Sequence, residues 1–86
     1  MSYFVTYHCV EDGSCLHYLK DYSLKGHEIS FNLTFRRSDA QIFEFEPEVN
    51  FVIHLLNSIP SVTTKHYKNG DLHFEFKKHL VRKRKS

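Results

Sequence analysis

The sequence predicts an α+β domain in which an antiparallel sheet carries two helices on one face. Three stretches carry that prediction. "HEISFNLTF" alternates apolar and polar side chains with period two, and "PEVNFVIHLL" repeats its apolar residues at helical spacing. "YKNGDL" sets an Asn-Gly pair between two strand-like runs, a strong hairpin signal. With 86 residues there is room for one core and no second domain.

Residues 2–10, "SYFVTYHCV", are rich in β-branched and aromatic side chains and end at "EDGS", so they read as a strand closed by a turn. Residues 15–25, "CLHYLKDYSLK", admit two readings. On a helix, Cys15, Leu16, Tyr18, Leu19 and Tyr22 fall within an arc of roughly 160°, opposite His17, Lys20 and Asp21. On a strand the same residues fail to alternate. With Ser14 as N-cap, Lys25 near the C-terminus and Gly26 as the stop, the pattern predicts a helix. The alternative makes Asp12-Gly13 a hairpin loop and residues 15–25 a returning strand, giving three β-hairpins packed with one helix.

In residues 27–35, Ile29, Phe31, Leu33 and Phe35 share one face of a strand. "QIFEFE" predicts a further strand that turns Phe43 and Phe45 to the same side. Pro47 and Glu48 suit a first helical turn, Val49, Val52, Ile53 and Leu56 form its apolar stripe, and Asn50, His54 and Asn57 its wet one. Ser58 and Pro60 end that helix, and "SVTTKHYK" with "DLHFEFKKH" completes a hairpin around Asn69-Gly70. The order strand, helix, strand, strand, helix, strand, strand is a split βαβ, ferredoxin-like pattern with an added C-terminal hairpin. Residues 1–79 then form the domain and residues 80–86 a basic tail.

Composition limits the classes of function. A hydrophobic share of 41% with eight Phe and five Tyr belongs to a globular chain, not a disordered one. No apolar run nears the roughly 18 residues of a membrane span, and the start lacks the pattern of a signal peptide, so a cytoplasmic protein without membrane contact is expected. Cys9 and Cys15 then read as free thiols. Residues 77–86 hold six of the twelve Lys and Arg and none of the ten acidic residues, so a cationic end follows a body of net charge −4.

None of the remaining motifs amounts to a catalytic or cofactor signature, and no cofactor is expected. A type I′ turn at Asn69-Gly70 would set His66 opposite His73 with Glu75 on the next rung, a weak candidate for three metal ligands. That face points to solvent, with Tyr67, Leu72, Phe74 and Phe76 on the buried side, so an exposed histidine pair is the expectation rather than a metal site. Glu11 and Asp12, at the end of the first strand, are the runner-up catalytic candidates, as carboxylates of a metal-dependent ribonuclease. Their plain reading is turn chemistry. Either cysteine beside a histidine is an inert thiol by default. Sheet-face RNA recognition needs aromatics on central strands, and the expected third strand would show Glu44 and Glu46 there instead.

The cations Lys77, Lys78, Arg82, Lys83, Arg84 and Lys85 are the candidate contacts to nucleic acid or to an acidic partner. The expected function is that of a small non-enzymatic regulatory or inhibitory protein that binds another macromolecule, a protein being favoured. Exposed strand edges offer such a partner a docking line, and could equally pair two copies as a homodimer. The alternative is a nucleic-acid-directed protein, binding through its tail or cleaving RNA with Glu11 and Asp12.

Overall fold

In the computed structural model, which describes residues 1–82, the chain forms β1 (Tyr3–Cys9), β2 (Cys15–Lys25), β3 (Glu28–Thr34), a 3₁₀ turn at Arg37–Asp39, α1 (Glu46–Asn57), α2 (Pro60–Thr63), β4 (Thr64–Tyr67) and β5 (Gly70–Leu80). The five strands make one antiparallel sheet in the order β3-β2-β1-β5-β4. The α+β class with its antiparallel sheet and two helices is therefore present. The helix expected over residues 15–25 is a strand, and the ferredoxin-like order that depended on it is replaced by a β1-β2-β3 meander.

Two irregularities in β2 explain the misleading pattern. Tyr7 faces His17 while His8 faces Cys15, so the register skips Leu16, and a second skip at Lys20 separates Leu19↔Leu33 from Asp21↔Asn32. Each extra residue flips the alternation of those that follow. His17, Leu19 and Tyr22 thus all face the core, a spacing that imitates a helix. Gly26, read as a helix stop, begins the two-residue loop between β2 and β3 at φ 59, where a side chain would be strained.

"QIFEFE" does not form a strand. Tyr3 and Phe43 exchange both backbone hydrogen bonds at 2.8 Å, and the chain enters α1 three residues later. Phe43 is consequently buried, whereas Phe45 and Phe35, expected beside it, are 70% and 81% exposed. The α1 helix follows its sequence pattern, with Pro in its first turn and Val49, Val52 and Leu56 fully buried against Val5, Tyr7 and Phe76. Burying one such aliphatic side chain contributes on the order of 2 kcal/mol. Pro60 opens α2 instead of closing α1, so β4 begins only at Thr64.

The sheet is curled. β3 lies three strands from β5, a separation of about 14 Å in a flat sheet. The rings of Phe31 on β3 and Phe76 on β5 nevertheless meet edge to face at 5.6 Å. This brings the edge strand back over the core. Tyr7 ties the same region to α2 by donating its hydroxyl to the Val62 carbonyl, and burial pushes its pKa up.

β5, like β2, is eleven residues long, and neither of its edges is covered by a strand throughout. β1 pairs with Phe74 to Leu80 on one side, and β4 with Gly70 to His73 on the other. Asn57, at the end of α1, fills the gap on the β4 side: its amide oxygen accepts from Phe76 N (2.8 Å) and its amide nitrogen donates to Phe76 O (3.2 Å). Asn57→Ala is expected to destabilise the fold by about 1–3 kcal/mol, because it strips partners from a buried peptide unit. Asn57→Asp should retain part of that stability, since it keeps only the acceptor. Urea denaturation of both variants is the measurement, and equal stability of Asn57→Ala and the parent chain would contradict this role.

Candidate functional site

The face of the sheet turned away from α1 carries the largest group of chemically capable side chains. It is assembled by strand alternation from β1, β2 and β5. Phe4, Thr6 and His8 project from the central strand β1, which is flanked by Tyr18 and Cys15 of β2 and by Glu75, Lys77 and His79 of β5. The register sets Phe4 opposite His79, Thr6 opposite Lys77 and Tyr18, and His8 opposite Glu75 and Cys15. Phe4, Thr6, His8, Tyr18, Lys77 and His79 line a shallow depression of about 290 Å³.

Its middle is a layered stack. The His79 imidazole lies on the Phe4 ring at 5.1 Å with 23° between planes, and Tyr18 is tilted beside it at 6.1 Å. Arg37, brought over the sheet by the 3₁₀ turn, sets its guanidinium carbon 3.6 Å from the centre of the Phe4 ring, a cation–π contact. His79 Nε2 sits 2.9 Å from Thr6 Oγ1. Burial holds the His79 pKa below its ordinary value, helped by the charges of Lys77, His8 and Arg37. The ring is therefore a neutral, stackable surface near neutral pH. The Glu75 carboxylate is met by His8 Nε2 at 3.0 Å.

The hairpin register disposes of the expected His66–His73 pair. Tyr67 faces Gly70, so Lys68 and Asn69 form the loop and His66 faces Asp71, 2.8 Å from its carboxylate. A type I′ turn would need positive φ at both Asn69 and Gly70, and only Gly70 has it, at 124°. Glycine takes that conformation without steric cost; Asn69 stays in the ordinary region. His73 faces Thr64 and turns its Nδ1 to Glu11, at 3.3 Å. His66, His73 and Glu75 are thus bound up with three different partners, and no cluster of three metal-ligating side chains occurs among the described residues. His8 and His17, a second conceivable pair, lie on opposite faces of the sheet. Tyr67 and Leu72, expected to be buried, are exposed at the hairpin, 55% and 37%.

Glu11 and Asp12 are employed locally. The Glu11 carboxylate accepts the His73 N–H, while Val10 N donates to His73 O at 2.8 Å, extending the β1 side of β5 where β1 itself has ended. Asp12 accepts from Ser14 N (2.7 Å) and Ser14 Oγ (2.6 Å), closing the β1–β2 turn, and these bonds hold its carboxyl below the usual range. Among the tail cations, Lys77 is exposed on the open face. Lys78 points the other way, donating to Glu46 (2.8 Å) and Asn50 (2.7 Å) of α1, and its contact lowers the Glu46 pKa. Arg82 is exposed; Lys83, Arg84 and Lys85 lie outside the described residues. Residues 77–80 belong to the sheet, and Val81 N still bonds Ser2 O at 2.8 Å.

Phe4, Tyr18, Arg37 and His79 were not singled out by sequence. Their signal was the alternation Phe4, Thr6, His8 and Glu75, Lys77, His79, which becomes readable once β2 and β5 are known to flank β1. A second depression of about 310 Å³, lined by Tyr7, His17, Phe31, Tyr67 and Phe74, opens where the curled sheet leaves its core end unfilled, and His17 Nδ1 is buried there without a partner.

Two outcomes follow from this geometry. One equivalent of Zn²⁺ is expected to leave the imidazole NMR signals of His66 and His73 in place, and a joint stoichiometric shift of both would contradict the separate pairing. For Asp12, a depressed folded-state pKa means stabilisation that is complete above the ordinary Asp value and lost as pH falls through the depressed one. The stability difference between the parent chain and Asp12→Asn should therefore be constant near neutrality and shrink below about pH 4. Urea midpoints measured across that range test it.

No helix among the described residues is long and apolar enough to cross a membrane. Comparison with known proteins finds no family model, no curated protein and no solved structure that matches this chain.

Proposed function

We propose that the chain is a small non-catalytic regulatory or inhibitory protein that acts by binding another macromolecule. The observation that carries this reading is the array on the open face: aromatic rings and cations displayed over three strands, on a surface too shallow to enclose a small substrate. The local duties of Glu11 and Asp12 support it as well, since each carboxylate is already an acceptor within the fold. A protein partner, or a second copy of the chain, has a further line of attachment in the outer edge of β3, which no strand covers among the described residues. In this reading the protein works in the cytoplasm, which suits two free thiols, Cys9 buried and Cys15 exposed.

Affinity capture from the native host with mass spectrometry tests this proposal, run alongside cleavage assays on RNA with Mg²⁺. The expected result is a macromolecule retained by the parent chain and lost with a Lys77→Glu variant, with RNA left intact. Glu11→Gln and Asp12→Asn are the informative controls for the ribonuclease alternative, because each keeps an acceptor for its structural hydrogen bond. Mg²⁺-dependent cleavage that either substitution abolishes would establish the enzyme and remove the proposal.

A further inference from the structure

We propose that the open face of β1, β2 and β5 is a binding site for single-stranded nucleic acid, with Tyr18 and His79, ordered by the Phe4 ring between them, as the stacking surfaces and Arg37 and Lys77 as the cationic contacts. The inference rests on the reading of the chain as a binding protein, and moves the nucleic-acid contact from the terminal residues to the folded domain. Single strands are held by combining aromatic surfaces, on which unstacked bases lie, with cations that follow the backbone. Both parts are present here on adjacent rungs. The rings of Phe4, Tyr18 and His79 span three neighbouring strands, about 10 Å, and with Phe4 already covered by His79 and Arg37 its neighbours offer surface for about two bases. Arg37 over Phe4 offers a guanidinium plane that can itself stack on a base.

The objection raised by Glu46 no longer applies to this surface, because Glu46 opens α1 and is turned to Lys78 on the opposite side of the sheet. Glu44 stays at the margin of the face, where it accepts from Ser2 Oγ at 3.0 Å beside the start of β1. Of the other acidic residues on this side of the sheet, Glu75 is met by His8 at 3.0 Å and Asp21 by Asn32 at 2.7 Å. Among the described residues no carboxylate lies within ion-pair distance of Lys77 or Arg37. Lys77 and Arg37 are therefore cations without an ion-pair partner among the described residues, and they complement a polyanion.

Fluorescence anisotropy of the full chain with labelled oligo-U, oligo-dT and a mixed-sequence duplex tests the site and separates RNA from DNA. Either single strand should bind more tightly than the duplex. Tyr18→Ala and His79→Ala should each weaken binding about tenfold, while Tyr18→Phe should retain it. Lys77→Gln, a surface change that leaves the core untouched, should lower the magnitude of the log K against log salt slope by about 0.7. That measurement stands even if an aromatic variant fails to fold. Equal affinity for the duplex, an unchanged salt slope for Lys77→Gln, or loss only on neutralising Lys83, Arg84 and Lys85 would overturn the proposal. So would a lack of single-strand binding at low salt. If a protein partner is then captured through Lys77, the binding-protein reading survives and this occupant is excluded.

Discussion

A strand in the body of a protein needs partners along both edges, and β5 finds a neighbouring strand along only part of each. The structure meets this constraint with side chains. Asn57 takes the place of a strand opposite Phe76, and Glu11 with the Val10 peptide does the same opposite His73. Both substitutions fix something larger than themselves. Asn57 pins the C-terminal end of α1 against β5, which sets how Val49, Val52 and Leu56 meet the sheet. Glu11 holds the β1–β2 turn against β5, so the turn that begins the meander and the hairpin that ends the fold share an anchor. The chain completes the edges of β5 in this way without a sixth strand.

The curl of the sheet separates two kinds of chemistry. Drawing β3 back until Phe31 reaches Phe76 encloses an aromatic core with a single layer of strands and one substantial helix. The same bend turns the opposite face outward. Side chains there are crowded by no covering layer, and what orders them is mutual contact: Arg37 on Phe4, Phe4 on His79, His79 on Thr6, His8 on Glu75. An ordered surface loses less freedom when it meets a partner, so such a face is better prepared for binding than a field of independent side chains.

Much of this was legible in the sequence, and the failures have physical causes. α1 was readable because its apolar stripe and proline start are local properties of helical periodicity. β3 was readable because it is regular, with Ile29, Phe31 and Leu33 alternating against polar residues. β2 was misread because bulges at Leu16 and Lys20 are set by pairing with β1 and β3, and no window of its own sequence contains that information. The hairpin was found but not its register: the choice between a loop at Lys68-Asn69 and one at Asn69-Gly70 turns on one residue's φ, and that choice decided whether His66 met His73 or Asp71. The open face was missed for a further reason. The ferredoxin-like order also sets β1 in the middle, but it makes residues 15–25 a helix and puts "QIFEFE" beside β1, so Tyr18 has no place on the face until the pairing of β2 with β1 is known.

The basic end shows how strand geometry reinterprets composition. Counted along the chain, residues 77–86 are one block of positive charge, but its first members are spaced by the two-residue period of β5. Lys77 and His79 are delivered to the open face and Lys78 to the other, where Glu46 and Asn50 of α1 take it up. That cation serves helix docking rather than any partner. The strand then carries the chain toward Arg82, which is exposed beyond the end of β5. Five residues of extended chain set Lys77 and Arg82 about 16 Å apart, roughly twice the Debye length at physiological salt, so each acts on a partner as a separate charge.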